Sequence, residues 1–328
     1  MNIIEQLKQS NLTGRGGANF PVWLKWETVN KAKGAKKYIV CNGAESEPNN
    51  FKDEYILKNH SRGVIDGINI ALNYLKATEA IIYLKPDYFK KFKKNLETLI
   101  KDSPIKLYKK TGGYLCGEES TLLNNIEGKA LEPRLRPPFP TTHGLYGCPT
   151  LINNVETFYY VASIDKNKYR HTKFISIAGD TKNTGTFELP LDLTINGILK
   201  NTNNHPSFDF FVQIGGGASG VFLEQTELNQ PIKGTGSIII YNLKKTNIQK
   251  LIMSIIEYFN KENCDKCVPC REGVYRLTNL LKEKIIDENK IKKIFDSLEN
   301  SSFCALGKSV PAPIKSLMKI KSHHANKN

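Results

Sequence analysis

Hydrophobic and polar positions follow two repeating patterns in the first half of the chain. Short apolar runs predict β-strands at residues 38–44, 79–85 and 104–110. Amphipathic stretches at 61–76 and 87–101 predict helices between these strands, because their apolar residues recur every three or four positions. This alternation of strands and helices indicates an α/β fold for the first half.

The next segment is richer in glycine and proline. The stretch "TGGYLCGEESTLLNNIEG" predicts a glycine turn that enters a helix, and a short helix is expected at about 153–163. Between them, residues 133–150 are proline-rich and irregular. Loops of this length in compact domains are usually functional, so we expect this one to lie at a binding site or to act as a lid.

The second half divides into two further parts. From about 172 to 245, four short β-rich runs and one helical run, "LTINGILK", predict a small α+β domain. After residue 247, three amphipathic segments predict helices that enclose a group of cysteines.

Charge and composition narrow the classes of function. The net charge of +15 would attract anions such as nucleotides or nucleic acid. Many lysines, however, lie opposite the apolar stripe of the 87–101 helix, where a solvated surface explains them. The sequence has neither zinc-finger pairing nor an RNP-type strand, so we expect no nucleic-acid binding. Its apolar runs are far shorter than the roughly 20 residues of a membrane helix, and no secretory signal is evident, so we expect no membrane insertion.

Three of the seven cysteines, Cys264, Cys267 and Cys270, have the spacing C-x2-C-x2-C. An odd and uneven set argues against a disulfide framework and favours metal binding or catalysis in a reducing compartment. With the distant Cys304 as fourth ligand, this spacing suits a [4Fe–4S] cluster, while zinc and unliganded structural thiols are the alternatives. The remaining cysteines lack such spacing and are expected to be buried apolar side chains: Cys41, Cys116 and Cys148.

Glycine and glutamate residues mark candidate ligand loops. The stretch "GRGGANFP" (14–21) is a weak phosphate-binding pattern, and a tight turn explains it nearly as well. The stretch "GGYLCGEEST" (112–121) lies between a predicted strand and a predicted helix, where backbone amides can meet an anion. Because carboxylates repel phosphate, the glutamates of these loops should face ligand hydroxyl or ring N–H groups instead. Four carboxylates lie on loops at predicted strand ends, where α/β folds place ligands: Glu45, Glu47, Glu118 and Glu119.

Five motifs together resemble one known family. In order they are "GRGGANFPVWLKW", "CNGAESEP", "GGYLCGEESTLLNNIEGKALEPRLRPPFPTTHGLYGCPTLINNVETF", "CDKCVPCREG" and "FCALG". Over about residues 14–320 the chain resembles the NADH-binding flavoprotein subunit of respiratory complex I, a module shared with NAD-linked hydrogenases and formate dehydrogenases. The resemblance implies a Rossmann-like α/β domain for FMN and NADH at 1–165, a ubiquitin-like β-grasp domain at 170–246 and a helical [4Fe–4S] domain at 247–328.

The resemblance also implies roles for individual residues. Those expected to bind FMN are Gly14, Gly16, Lys25, Asn42, Glu45, Gly117, Glu118, Asn153 and Asn154, and Arg15 and Gly17 complete the first glycine turn. Those expected at the dinucleotide are Phe20 on the adenine, Glu47 and Tyr114 near the nicotinamide, and Glu119, Arg136 and Phe139 along the rest. The implied cluster ligands are Cys264, Cys267, Cys270 and Cys304.

The implied activity is that of an NADH dehydrogenase. NADH would be oxidised by hydride transfer to FMN, and electrons would pass singly to the cluster, with no side chain needed as a nucleophile. The expected partners are a thioredoxin-like [2Fe–2S] subunit and a larger iron–sulfur subunit, with the chain cytoplasmic and peripheral to the inner membrane. The alternatives are a diaphorase subunit of a hydrogenase or formate dehydrogenase, and a degenerate structural subunit that keeps its cluster.

Several positions depart from the family motifs. Asn19 stands where the family has a third glycine, Ala44 where it has an aspartate, and Thr28 where a second aromatic residue is often found. Arg136 replaces a lysine, and "EPNN" replaces "EPGT". These changes predict weaker NADH binding or an altered partner interface.

Overall fold

A computed structural model describes residues 2–232, 234–283 and 287–325 of the chain. Its first sheet has four parallel strands in the order β3-β2-β1-β4. The strands are β1 (Tyr38–Gly43), β2 (Glu79–Leu84), β3 (Ile105–Lys109) and β4 (Thr150–Asn154). Their carboxyl ends lie at one edge of the sheet, which is where parallel α/β sheets bind ligands.

Eight helices accompany the parallel sheet. They are α1 (Ile3–Gln9), α2 (Val22–Lys31), α3 (Lys52–Asn59), α4 (Ser61–Leu75), α5 (Pro86–Leu99), α6 (Glu119–Ile126), α7 (Pro140–His143) and α8 (Val155–Asp165). Helices α4 and α8 pack so closely that a Cβ on Gly67 would clash with the Phe158 carbonyl group. Gly67 is therefore required by the packing. On α5, Phe92 and Leu96 are buried as the apolar stripe predicted.

The strands predicted at 38–44, 79–85 and 104–110 are confirmed, each to within one residue at either end. Strand β4 was missed, because the prediction began a helix at 153. The structure ends β4 at Asn154, whose side chain accepts from Glu156 N at 3.0 Å and caps α8. An asparagine that both ends a strand and caps a helix gives a boundary that periodicity alone cannot find.

The second sheet has five strands in the order β6-β5-β9-β7-β8. They are β5 (Thr172–Gly179), β6 (Gly185–Pro190), β7 (Phe210–Ile214), β8 (Val221–Glu224) and β9 (Ser237–Asn242). Only β5 and β9 are parallel to each other; the other neighbours are antiparallel. Helix α9 (Ile195–Asn201) buries Ile198 and Leu199 in the core of this sheet.

The remainder of the described chain is helical. It contains α10 (Ile248–Glu262), α11 (Val268–Leu280), α12 (Glu288–Ser301), α13 (Ala305–Ser309) and α14 (Pro311–Ala325). Their shared core includes Ile256, Phe259, Leu277, Leu298 and Leu317, each fully buried. None of the helices in the described ranges is both long enough and apolar enough to span a membrane.

Candidate functional site

Four segments of the chain meet at the carboxyl edge of the parallel sheet. The Asn42 amide at the end of β1 donates to Gly117 O at 2.9 Å. Asn154 at the end of β4 donates in turn to Asn42 O at 3.2 Å. A Cβ on Gly16 would lie 3.5 Å from the Asn154 Cβ, so the first glycine turn lies against the same edge. Residues that are distant in the sequence are thus adjacent here.

The glycine turn is held by its backbone. Gly14 N donates to Phe20 O at 2.8 Å, and Gly17 has a φ of +109°, which side chains rarely adopt. The ring of Phe20 is 44% exposed at the mouth of this region, and that of Phe139 is 53% exposed. Both rings are therefore accessible to a planar ligand.

The side chain of Arg15 points away from the turn. Its guanidinium donates to Tyr169 Oη at 2.9 Å and lies over the Tyr160 ring, while its backbone amide donates to Thr157 Oγ1. The residue is only 4% exposed. Any contact of Arg15 with a ligand is therefore left to its backbone.

Glu45 is fixed at the start of α3. Its carboxylate accepts from Asp53 N at 3.0 Å, from Glu54 N at 3.3 Å and from Tyr88 Oη at 2.5 Å. Burial, followed by the nearby Asp53 charge, raises the pKa of Glu45 to about 7. The carboxyl group can therefore exchange a proton near neutral pH.

A buried lysine organises the neighbouring residues. Lys52 Nζ lies 2.6 Å from Asp53 Oδ1 and 3.1 Å from Glu156 Oε2, and it donates to Asn154 Oδ1 at 3.0 Å. Asp53 in turn accepts from Asn154 Nδ2 at 2.7 Å. This network was not predicted from the sequence. The one indication of it was the pair "KD" at a helix start directly after a candidate ligand loop.

Glu47 is held between the two sheets. Its carboxylate accepts from Tyr114 Oη at 2.5 Å, from Ala218 N at 2.9 Å and from the Ser219 hydroxyl at 2.5 Å. A Cβ on Gly217 would clash with the Pro48 carbonyl oxygen, so only glycine allows this approach. Ser219 was also missed, although "GGGASG" resembles a loop built for close backbone contact.

Glu118 caps helix α6. Its carboxylate accepts from Ser120 N at 3.0 Å and from Thr121 N at 2.8 Å, and it forms an ion pair with Arg136. The amides that could have met a phosphate at this helix start are therefore already bonded to a carboxylate. This explains how two glutamates can stand at a glycine-rich helix start.

Lys25 and Asn153 lie behind this loop. Lys25 Nζ lies 2.5 Å from Glu119 Oε1 and donates to Ile152 O at 3.0 Å. In the amide orientation that satisfies both groups, Asn153 accepts from Trp26 Nε1 at 3.0 Å. The lysine is partly exposed beside the sheet edge, whereas the Asn153 side chain is anchored to the core.

The cysteines Cys264, Cys267, Cys270 and Cys304 gather at the ends of helices. Cys267 precedes α11, Cys270 lies in its first turn, and Cys304 precedes α13. A Cβ on Gly307 would lie 3.2 Å from the Cys270 Cβ, so the two helices approach closely. Burial, and after it the other three thiols, raises the pKa of Cys270 to about 12. Four thiols whose charges repel one another form a donor set that fits a cationic iron–sulfur centre.

The spacing of these thiols also bears on the kind of metal. Within the described ranges, no three His, Cys, Asp or Glu side chains lie close enough together to hold one metal ion. In a [4Fe–4S] cluster each thiolate binds a different iron, so the four sulfurs stand further apart than around one zinc. Of the other cysteines, Cys41 and Cys116 are buried as expected, but Cys148 is half-exposed and corrects that prediction.

The cysteine group and the sheet edge are in contact. Tyr114 N donates to Glu262 Oε2 at 2.6 Å, and Glu262 ends α10 two residues before Cys264. Burial raises the pKa of Cys304, and the Cys264 thiol and the Glu118 carboxylate add to this effect. Both observations place the thiols beside the loop that carries Tyr114 and Glu118.

Comparison with known proteins gives matches over nearly the whole chain. Residues 7–163 match the family described as "Nuo51 FMN-binding domain". Residues 250–325 match the one described as "NADH-ubiquinone oxidoreductase-F iron-sulfur binding region". The chain is 31% identical to NADH-quinone oxidoreductase-F of Streptomyces coelicolor, over 97% of this chain and 81% of that protein. It is 32% identical to NADH-quinone oxidoreductase-F of Aquifex aeolicus, over 93% and 80% respectively.

A solved structure is also similar. The fold matches an NAD+-reducing [NiFe]-hydrogenase in its H2-reduced state with a TM-score of 0.90 and 26% identity. The match covers 97% of this chain and 61% of the hydrogenase chain, so this protein spans less than two thirds of that relative.

Proposed function

The chain belongs to the NADH-quinone oxidoreductase-F family, and we propose that it is the electron-input subunit of such a complex. When bound, FMN would accept a hydride from NADH, and a [4Fe–4S] cluster would take the electrons one at a time. The observation that carries this proposal is the hydrogen bond from Tyr114 N to Glu262, which joins the ligand edge to the cysteine group.

We propose that the residues at the sheet edge bind and orient the cofactors. The backbone of the glycine turn, Asn42, Gly117 and Asn154 would hold FMN, since they meet at one edge. Lys25 would lie beside them, with Glu119 as its present partner. Glu45 and Glu118 are anchored by helix N-termini, so they would orient and tune the flavin.

The dinucleotide is assigned to the exposed side of the same edge. Phe20 and Phe139 offer accessible rings, of which Phe20 would stack on the adenine. Tyr114 and Glu47 are bonded to each other beside Gly117, which supports a place near the nicotinamide. Arg136 would contribute positive charge to the pyrophosphate side, where it now pairs with Glu118.

The four thiols of the helical region would hold the cluster. Cys264, Cys267 and Cys270 come from one loop and helix start, and Cys304 from a second. No oxygen or nitrogen ligand is needed, because the four thiolates complete the set.

We also propose the division into domains at 1–165, 170–246 and 247–328, with the middle one a β-grasp fold. Numbered within that domain, its strands have the order 2-1-5-3-4, with the first and last strands parallel and one helix packed on the sheet. This order supports the ubiquitin-like assignment.

The proposed partners are a thioredoxin-like [2Fe–2S] subunit and a larger iron–sulfur subunit. Val268 and Tyr275 are each 58% exposed on α11, next to the thiols, which supports electron exit toward a docked protein there. Such an assembly would place the chain in the cytoplasm, peripheral to the inner membrane. The TM-score of 0.90 to a hydrogenase supports a second candidate, the diaphorase subunit of an NAD-linked hydrogenase.

One experiment tests the proposal. The full chain is purified anaerobically, its iron, zinc and flavin are measured, and flavin absorbance is followed while NADH is added. We expect iron with FMN, and bleaching of the flavin by NADH. Zinc without iron would contradict the cluster, and flavin that NADH does not bleach would favour the structural alternative. Co-purification from the native host then separates a quinone-reducing complex from a hydrogenase.

A further inference from the structure

A buried cation lies beneath the loop that follows β1. Lys110 comes directly after β3 and is 4% exposed. Its Nζ donates to the Ser46 hydroxyl at 2.5 Å. Ser46 stands between Glu45 and Glu47, which are both assigned to the cofactor site. A charged amine is therefore fixed directly behind the two carboxylates.

The surroundings of Lys110 do not neutralise it. The charged and titratable groups that face it are Cys116, Glu262 and Lys85. Among the described residues, no carboxylate oxygen lies within 4 Å of Lys110 Nζ, and Glu262 is already bonded to Tyr114 N. Burial lowers the pKa of Lys110 to about 8, so most of the side chain remains charged at neutral pH. A buried cation with only a hydroxyl partner costs stability, which suggests a function that offsets the cost.

Resting on the proposed function, we propose that Lys110 is a positioning residue of the cofactor loop whose charge stabilises the reduced flavin. The Ser46 hydroxyl donates to Ala44 O at 2.9 Å, and Tyr258 Oη donates to Ser46 O at 3.3 Å. Lys110 thus completes a chain of contacts that fixes the peptide groups on both sides of Ser46.

The loop's own side chains support this role on charge grounds. Position 44 carries alanine, so the loop has no third carboxylate to neutralise the amine. Glu45 is turned toward α3 and Glu47 toward Ala218, so both carboxylates are bonded away from Lys110. Its field is therefore left to act on a ligand at the sheet edge, where low polarity strengthens it.

The consequence is a shift in redox equilibrium. Reduction adds negative charge to a flavin, and a nearby buried cation favours the more negative state. Lys110 exchanges no atoms with the ligand. Its removal should therefore move the midpoint potential of the flavin to a more negative value, without removing a group that the hydride transfer needs.

The test uses the full chain loaded with FMN and iron. Lys110→Met, Lys110→Arg and Ser46→Ala are compared with wild type by spectroelectrochemical titration of the flavin, and flavin and iron content are measured. Lys109→Met is the matched control, since Lys109 is the adjacent but exposed lysine. We expect a more negative potential in Lys110→Met, a potential close to wild type in Lys110→Arg and in Lys109→Met, and a raised KM for NADH in Ser46→Ala.

The outcomes separate the two proposals. Wild-type protein that NADH does not reduce contradicts the proposed function itself. Normal wild type with an unshifted potential in a flavin-loaded Lys110→Met variant overturns only the role of Lys110. If Lys110→Met does not retain flavin, Ser46→Ala decides: a raised KM supports the positioning role, whereas an unchanged KM and an unchanged potential overturn it.

Discussion

The backbone amide of Tyr114 donates to the Glu262 carboxylate at 2.6 Å, across the boundary between the parallel-sheet region and helix α10. A Cβ on Gly113 would clash with the Glu262 carboxylate, so the neighbouring residue must be glycine for the two segments to approach. The rings of Tyr114 and Tyr258 also meet edge to face, with centroids 5.6 Å apart. The loop assigned to the nicotinamide is thus attached to the helix that leads to Cys264.

Substitution of Glu262 should weaken this attachment. Glu262→Ala leaves a partly buried amide without its acceptor, which costs about 1–3 kcal/mol of unfolding free energy. Glu262→Gln keeps a carbonyl acceptor and should lose less. Urea unfolding of the two variants gives the comparison, and Glu257→Ala, at an exposed position on the same helix, is the control. Equal stability of all the variants would show that the contact contributes nothing.

Asn19 and Asn49 keep a backbone shape that the family obtains from glycine. Their φ angles are +52° and +58°, in the left-handed region that asparagine tolerates better than most residues. The expectation that Asn19 supplies this shape less easily now becomes a measurable cost. We expect Asn19→Gly to match or slightly exceed wild-type stability, and Asn19→Ala to lose about 1 kcal/mol in urea unfolding.

A control for this prediction is an asparagine with helical backbone. Asn300 lies in α12 and is exposed, so Asn300→Ala should be neutral or stabilising. If Asn19→Ala behaves like Asn300→Ala, the left-handed backbone at Asn19 carries no cost, and the explanation for the missing glycine fails.

The sequence predicted the apolar strands well because they are continuous and buried on both faces. It also grouped Cys304 with the other three cysteines, because few cysteines were available and the spacing is specific. It could not find Lys52, Ser219 or Lys110. These residues act through contacts with positions far away in the sequence, such as Asn154 and Glu47, and no local pattern distinguishes a buried lysine from a solvated one.

The stability of the protein should depend on pH through Lys110. Burial lowers its pKa from 10.5 to about 8, so between these values the folded state binds fewer protons than the unfolded state. Stability therefore rises as pH increases through this window, and the penalty is complete below pH 8. The shift corresponds to about 3 kcal/mol.

A variant isolates this effect from other titrating groups. Lys110→Met should be more stable than wild type at pH 7, by up to about 3 kcal/mol, and the difference should narrow as pH approaches 10. Urea unfolding of both proteins across this range provides the measurement. A difference that stays constant with pH would mean that Lys110 does not titrate in the folded protein.

Removal of single thiols should identify the cluster ligands. Each of the variants Cys264→Ser, Cys267→Ser, Cys270→Ser and Cys304→Ser is expected to lose most of its iron, because a cubane cluster held by three thiolates is labile. Cys148→Ser is the matched control, since Cys148 is also half-exposed but lies far from the other thiols in the sequence and should keep the full iron content. Iron analysis and the visible spectrum of anaerobically purified protein supply the measurement. Full iron in Cys304→Ser would remove that residue from the ligand set, and the cluster would then need a fourth ligand from elsewhere in the complex.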